Sequence, residues 1–221
     1  MHTLLIYGGT FDPIHFGHIH TALNVQKQFH FETFAFLPCK LPVLKDARVA
    51  RADHRLAMMR LALAPFSASN AFTIDLAEIE RPTPSYMIET LRHFRKQYGN
   101  LTAITLLMGI DAFNQLPQWH EWSKLLTLAN ILVIKREGFK EAAPCEPIQT
   151  LLKQHKTDDW KAITKKTHGV IYFFDAGRFD VSSSWLRKQL AERKCVDDYL
   201  PSEVVEYIKQ QGLYSAPKQA R

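Results

Sequence analysis

Cysteine is scarce in this sequence. Its 221 residues include three cysteines, Cys39, Cys145 and Cys195, which are odd in number and far apart. A chain of this length can bury a core without disulfide bonds. The three side chains therefore read as isolated reduced thiols, which favours a reducing compartment such as the cytoplasm.

Long apolar stretches are lacking as well. No segment reaches the roughly 18 consecutive apolar residues that span a bilayer. The N-terminus leads from a short apolar run directly into Gly8, without a charged leader or a cleavage site. We therefore expect a soluble cytoplasmic protein that has no membrane partner.

Strong charge of one sign is also missing. The formal net charge is +6, and the lysines and arginines are spread along the chain rather than gathered in one run. A mild positive charge favours anionic ligands of every kind. The dispersed pattern favours small phosphorylated ligands over nucleic acid, so no nucleic-acid partner is predicted.

The sequence does contain a regular alternation of short apolar runs and helical patterns. Strands are predicted at residues 4–7, 33–37, 72–76, 103–108, 131–134 and 170–174. Helices are predicted from about residue 16 to 29 and around 56–63, 87–98, 183–193 and 201–211. The alternation predicts an α/β fold, a Rossmann-like doubly wound parallel sheet with C-terminal helices. We expect one domain over residues 1–221, with a helical part at about 182–214 and a loose tail at 216–221.

The most informative segment runs from Gly8 to His18 and reads GGTFDPIHFGH. It follows the first predicted strand and leads into the first predicted helix. Open α/β sheets bind ligands at that place, and the free N–H groups of the helix terminus favour anions. The spacing fits neither Gly-x-Gly-x-x-Gly nor the P-loop pattern, which argues against a dinucleotide-dependent dehydrogenase and a P-loop NTPase.

Two histidines, His15 and His18, stand at the start of that helix. Residues three apart share a helix face, so both imidazoles can stabilise charge that builds on a transferring phosphoryl group. The alternatives are two structural histidines or a metal pair, although a metal site wants more ligands than Asp12 alone would add. The preceding glycines favour catalysis, and no protein-bound metal is predicted.

Four further motifs follow the loop in order. They are SYMIETL from Ser85 to Leu91, GID from Gly109 to Asp111, WHEW from Trp119 to Trp122 and VSSSWLR from Val181 to Arg187. Together with the first loop, this set resembles the HxGH nucleotidyltransferase superfamily. In its extended form it resembles the bacterial nicotinate-mononucleotide adenylyltransferase family, almost from end to end.

The resemblance implies adenylyl transfer from ATP to nicotinate mononucleotide, with release of pyrophosphate, in NAD biosynthesis. Mg²⁺ would be bound through the phosphates of ATP. A phosphate monoester is already anionic, so positioning and charge stabilisation would carry the catalysis. The resemblance implies that His15 and His18 are catalytic. It implies ATP binding by Gly8, Gly9, Thr10, Phe11, His15, His18, Lys45, Gly109, Asp111, Ser182, Ser184 and Arg187. Ser182 would equally suit a plain N-cap, and Asp111 would contact the ribose or orient the loops.

For the acceptor, the resemblance implies binding by Thr10, Tyr86, Thr90, Trp119 and Lys40. Trp119 would stack on the pyridine ring, and Tyr86 and Thr90 would help to recognise its carboxylate. The alternative for the tryptophans is core packing, which we favour for Trp122.

Two positions depart from the family's pattern. Residues 42–45 read PVLK where the family usually has PPHK, so Leu44 replaces a histidine expected to touch ATP. Lys40 and Lys45 are then the local cations. His120 stands where tyrosine is common. The resemblance favours nicotinate over nicotinamide, and the chain would be a monomer or a homo-oligomer.

Two competing hypotheses remain. The acceptor would be phosphopantetheine, or glycerol phosphate with CTP, in other branches of the superfamily. The tryptophan loop and the length of 221 residues argue against both. A nucleotide-binding sensor without catalysis belongs to a different class, and the intact His15 and His18 argue against it.

Overall fold

The computed structural model describes residues 1–40, 49–135 and 144–215. Its centre is a six-stranded parallel sheet, as predicted. The strands are β1 (Thr3–Gly9), β2 (Thr33–Pro38), β3 (Phe72–Ile74), β4 (Ala103–Gly109), β5 (Asn130–Lys135) and β6 (Ile171–Asp175). Their order across the sheet is β3-β2-β1-β4-β5-β6, and each neighbouring pair is parallel.

Helices cover both faces of this sheet. They are α1 (Phe16–Phe29), α2 (Ala52–Leu63), α3 (Ser67–Asn70), α4 (Ala77–Glu80), α5 (Met87–Tyr98), α6 (Ile110–Asn114), α7 (Glu146–His155), α8 (Ala162–Lys165), α9 (Ser183–Ala191) and α10 (Ser202–Gln210). Two turns of 3₁₀-helix, Leu116–Gln118 and Trp122–Thr127, lie between α6 and β5. Among the described residues, none of these helices has the length and apolar character needed to cross a membrane.

The burial of β1 explains the predicted apolar strands. Leu4, Leu5 and Ile6 are all fully buried. Leu5 packs in a core cluster with α1, α2 and α10, whereas Leu4 and Ile6 pack in a second cluster with α5 on the opposite face. Strands covered on both faces need apolar side chains at successive positions, not only at alternate ones.

The predicted elements differ from the structure in several places, and β1 runs to Gly9, two residues past its predicted end. β3 ends at Ile74, two residues before the predicted end, and α9 ends at Ala191 rather than near residue 193. Helix α7 was not predicted, because Ile148 is its single fully buried residue and its apolar stripe is short. The predicted tail at 216–221 lies outside the described residues.

The strand order determines where a ligand can bind. The chain adds β2 and β3 on one side of β1, then returns to place β4 on the other side. In open α/β sheets, ligands bind beyond the carboxyl ends of the strands at such a reversal. Gly8 and Gly9 end β1, and Gly109 ends β4, so these glycines flank that position.

Candidate active site

A cleft of about 330 Å³ opens at the carboxyl ends of β1 and β4. It brings together nearly all residues for which ATP binding is predicted. The lining includes Gly8, Gly9, Thr10, Phe11, His15, His18, Gly109, Asp111, Ser182, Ser184 and Arg187. Lys45, the remaining residue of that prediction, and Leu44 lie outside the described residues.

The two histidines stack at the start of α1. Their ring centroids are 3.7 Å apart and their planes are inclined by 31°. The backbone N–H of His15 donates to Nδ1 of His18 over 3.3 Å. A neutral imidazole that accepts at Nδ1 carries its proton on Nε2, so His18 can offer an Nε2–H donor. No group of three or more His, Cys, Asp or Glu side chains suited to a metal ion occurs in the described part of the chain.

The turn before the histidines is tightly packed. Phe11 has a positive φ of 49°, and its side chain is 1% exposed. A Cβ added to Gly9 would lie 2.9 Å from Cζ of Phe11, closer than real Cβ contacts come. Gly9 therefore leaves room for the Phe11 ring, which in turn packs edge-on against His18 at 5.0 Å.

The start of α9 closes the cleft from another side. The hydroxyl of Ser182 accepts a hydrogen bond from the Trp185 N–H over 3.3 Å, so Ser182 is the N-cap of this helix as well as a lining residue. The Ser183 hydroxyl donates to the Pro13 carbonyl over 3.0 Å. Arg187 donates through Nη1 to the Asp12 carbonyl over 2.8 Å. These contacts join α9 to the loop that carries the histidines.

Asp111 lies on the first turn of α6, directly after β4. It is exposed and lines the cleft. Asp111 therefore lies at the end of a strand, as predicted. That strand, β4, is on the opposite side of β1 from β2.

Of the residues for which acceptor binding is predicted, Thr10 lines the cleft, and the other four are absent from its described lining. The Tyr86 ring packs against His120 with centroids 4.6 Å apart. The Lys40 N–H donates to the Ser85 hydroxyl over 3.2 Å. Trp119 is half-buried next to His120. We call Tyr86, Trp119 and Lys40 the acceptor group.

Both tryptophans of the WHEW motif, Trp119 and Trp122, pack against the second core cluster. Core packing, which the sequence favours for Trp122, is observed for that residue. Trp119 contributes to the same packing and keeps part of its ring accessible.

Thr90, in contrast, is fully buried. It is 0% exposed, and its hydroxyl donates to Oε1 of Glu78 over 2.8 Å and accepts from Nη2 of Arg81 over 3.0 Å. Burial raises the pKa of the Glu78 carboxyl above its usual range. Thr90 therefore lies in a buried polar cluster with Glu78 and Arg81, because α5 turns this residue towards α4.

Arg55 supports the site from within the core and is not predicted from the sequence. Its side chain is 0% exposed, although it carries a charge. The guanidinium donates to four backbone carbonyls, those of Ala50 (3.1 Å), Thr10 (2.7 Å), Cys39 (2.8 Å) and Lys40 (2.9 Å). It thereby ties the turn after β1 to the end of β2. An arginine four residues before Met59 on an apolar helix face was the available signal.

Replacing Arg55 with methionine should lower the free energy of unfolding by at least about 3 kcal/mol, because the buried carbonyls lose their donor. Arg60→Met is the matched control, since Arg60 is exposed on the same helix. Its effect should stay within about 0.5 kcal/mol. Urea denaturation measures both values, and a loss below about 1 kcal/mol for Arg55→Met would contradict the assigned role.

A parallel sheet with this strand order, a cleft at its point of reversal and paired histidines at a helix start are typical of a nucleotidyltransferase of the α/β class. A family model described as cytidylyltransferase-like matches residues 6–189. The chain belongs to this family, and within it to the nicotinate-nucleotide adenylyltransferases, as its relatives show.

One relative, from Legionella pneumophila (strain Corby), carries the description "Probable nicotinate-nucleotide adenylyltransferase". It is 44% identical over 214 residues, which are 97% of this chain and 100% of the relative. A protein of the same description from Methylococcus capsulatus is 35% identical over 210 residues, 95% of this chain and 98% of that protein.

A solved structure with the same fold is Plasmodium falciparum nicotinic acid mononucleotide adenylyltransferase complexed with NaAD. It superposes with a TM-score of 0.73 and is 22% identical, over 97% of this chain and 98% of that chain. At this identity the likeness concerns the fold.

Proposed function

We infer that this protein transfers the adenylyl group of ATP to nicotinate mononucleotide. The products are nicotinate adenine dinucleotide and pyrophosphate, and the reaction belongs to NAD biosynthesis. The observation that carries this inference is the cleft at β1 and β4, where the stacked His15 and His18 face the start of α9. Two relatives that match 95% or more of the chain are described as probable nicotinate-nucleotide adenylyltransferases.

We propose that the cleft holds the triphosphate of ATP. The N–H groups of Gly8, Gly9 and Thr10 and the N-termini of α1 and α9 supply donors for phosphate oxygens. Arg187, with Ser182 and Ser184 at the start of α9, supplies the cation and hydroxyls. Phe11, Gly109 and Asp111 complete the ATP side, with Asp111 towards the ribose.

In the reaction, a phosphate oxygen of the mononucleotide forms a bond to the α-phosphorus of ATP. The bond from that phosphorus to the bridging oxygen breaks, and pyrophosphate leaves with the electron pair. The attacking monoester is already ionised, so no strong base is required. His15 and His18 stabilise the negative charge that increases on the phosphoryl oxygens, and the Nε2–H of His18 is the donor that the geometry makes available.

We propose that Mg²⁺ binds together with ATP, through its phosphates. It prefers oxygen ligands and retains several waters, and phosphate oxygens supply such ligands. Asp111 is assigned to the ribose, so the ion would be held by the phosphate oxygens of ATP and by water. When bound, the ion neutralises charge on the phosphates.

We propose that the acceptor group binds nicotinate mononucleotide next to Thr10. The accessible part of Trp119 offers an aromatic face to the pyridine ring. Tyr86 and Lys40 supply a hydroxyl and a cation for the anionic acceptor. Thr90 supports Tyr86 indirectly. Its hydroxyl contacts the Tyr86 carbonyl at the start of α5 and also forms hydrogen bonds with Glu78 and Arg81.

A panel of acceptors tests the proposal. Initial rates of pyrophosphate release are measured in the presence of Mg²⁺ with four acceptors. Nicotinate mononucleotide, its nicotinamide counterpart and phosphopantetheine are each supplied with ATP, and glycerol phosphate is supplied with CTP. The expected result is the highest rate with nicotinate mononucleotide. Absence of turnover with both pyridine mononucleotides would overturn the proposal, and ATP binding without any turnover would favour the sensor.

Glu121 anchors the loop that carries Trp119. The backbone of Glu121 adopts a left-handed conformation with a φ of 49°. Its carboxylate accepts from Nη2 of Arg92 over 2.9 Å and from Nζ of Lys124. Hydrogen bonds from Arg92 and Lys124 lower the pKa of Glu121 to about 2. A lowered pKa means that this anchor is fully present above the ordinary value of 4.5 and is lost as the pH falls towards 2.

Glu121→Gln should therefore raise the KM for nicotinate mononucleotide about two- to fivefold at neutral pH, which is the range expected for an exposed ion pair. The KM for ATP and kcat should change little, since the substitution loosens only the tryptophan loop. Glu89→Gln is the control, because Glu89 also contacts Arg92 but lies on α5. Steady-state kinetics measures the KM for nicotinate mononucleotide in both variants. Equal values in the two variants would argue against an anchoring role for Glu121.

A further inference from the structure

The loop that carries the catalytic histidines contains a buried carboxylate, whose hydrogen bonds connect the loop to other parts of the chain. Asp12 is 0% exposed and stands three residues before His15. Its Oδ1 accepts a hydrogen bond from the Tyr214 hydroxyl over 2.6 Å and another from the Ala50 N–H over 3.3 Å. Tyr214 follows α10, so the end of the described chain is fastened to the turn after β1.

The position of Tyr214 is fixed by backbone hydrogen bonding and by packing against the core. The Leu213 N–H donates to the Ile208 carbonyl over 3.0 Å, which closes the end of α10, and Tyr214 itself has a φ of 61°. Both residues pack against the core cluster that contains α1. Burial, and then the charge of Asp12, raises the pKa of the Tyr214 phenol. The phenol therefore stays protonated and donates a charge-assisted hydrogen bond to the carboxylate.

Asp12 also reaches the cleft through its main chain. The Asp12 carbonyl accepts from Nη1 of Arg187 over 2.8 Å, and the same nitrogen lies 3.6 Å from Oδ2 of Asp12. Arg187 and His15 line the cleft, whereas Tyr214 is absent from its described lining. A rotation of the Asp12 residue would therefore move a phosphate-binding cation and the histidine turn together.

We propose that Tyr214 is a positioning residue for adenylyl transfer, which acts through Asp12 on His15, His18 and Arg187. This inference rests on the proposed function. Tyr214 touches no reacting atom; its hydroxyl holds Asp12 in the orientation that keeps the histidines and Arg187 on the transferring phosphoryl group. A misplacement of about 1 Å at such groups is enough for large losses in rate.

Tyr214→Phe tests the proposal, because it removes the hydroxyl and keeps the ring. Tyr207→Phe is the matched control. Tyr207 lies on α10, packs against the same cluster, and its hydroxyl forms a hydrogen bond with Nδ1 of His54 over 3.0 Å, on α2. We expect Tyr214→Phe to lower kcat about tenfold, the size of one charge-assisted hydrogen bond, with less than about a threefold change in the KM for ATP. Tyr207→Phe should retain the wild-type kcat.

A second measurement needs no substrate. The NMR signals of the His15 and His18 imidazoles should shift in Tyr214→Phe and keep their wild-type positions in Tyr207→Phe. Unchanged signals, an unchanged kcat, or an equal loss of kcat in both variants would overturn the role of Tyr214. If the wild-type protein forms no dinucleotide, the proposed function fails, and unchanged imidazole signals would still refute the structural link on their own.

Discussion

Replacing His18 with alanine should lower kcat by roughly 10²- to 10³-fold, or about 2.7–4 kcal/mol of barrier, as for the loss of one preorganised oxyanion donor. His18 accepts from the His15 N–H through Nδ1, which leaves the Nε2–H for the phosphoryl oxygens. Alanine fills neither role. The measurement is kcat for pyrophosphate release at saturating ATP and nicotinate mononucleotide.

The control for His18→Ala is His93→Ala. His93 is exposed on α5, away from the cleft, so its loss should leave kcat within about twofold of wild type. A turnover number for His18→Ala that equals the control value would remove His18 from the chemistry.

Gly17→Ala should have the next largest effect, about a hundredfold loss of kcat. A Cβ at this position would lie 2.8 Å from Cγ1 of Val181 and 3.0 Å from Nδ1 of His15. The new methyl group must therefore displace the histidine or the segment before α9. Alanine favours a helix by about 1 kcal/mol over glycine, so the protein should remain folded. Kinetics and thermal unfolding are measured together.

The double variant Gly17→Ala with Val181→Ala separates the two contacts. It removes the nearer contact, that with Val181, and leaves the contact with His15. We expect partial recovery of kcat. A single variant Gly17→Ala that retains kcat within about twofold of wild type would show that the site tolerates the methyl group.

Local sequence patterns predict most of the fold. Leu4, Ile6, Leu106 and Ile131 belong to continuous apolar runs, and these runs became the central strands because helices cover both faces. The same patterns predict where α1 begins, whereas β1 includes Gly8 and Gly9, which the sequence places in the following loop. Since parallel strands end at one edge, the motifs at Gly8 and Gly109 had to meet there.

The contacts that support the site are less accessible to sequence reasoning. Arg55 binds the Thr10 carbonyl and Tyr214 binds Asp12 across large separations in the chain, which only tertiary packing determines. Thr90 is a different case. It lies four residues before Phe94 on α5, and the structure places it on the buried face of that helix.

The motif resemblance and the structure contribute different parts of the account. The resemblance implies which residues meet the two substrates. The structure adds why Gly17 and Gly9 are small, because the rings of His15 and Phe11 occupy the space that side chains would need.

The most direct test of adenylyl transfer uses ATP labelled at the α-phosphate, incubated with Mg²⁺, nicotinate mononucleotide and the purified protein. The label should appear in nicotinate adenine dinucleotide, with one unlabelled pyrophosphate released for each dinucleotide formed. Label that remains in ATP, or that appears only in free AMP, would contradict the account.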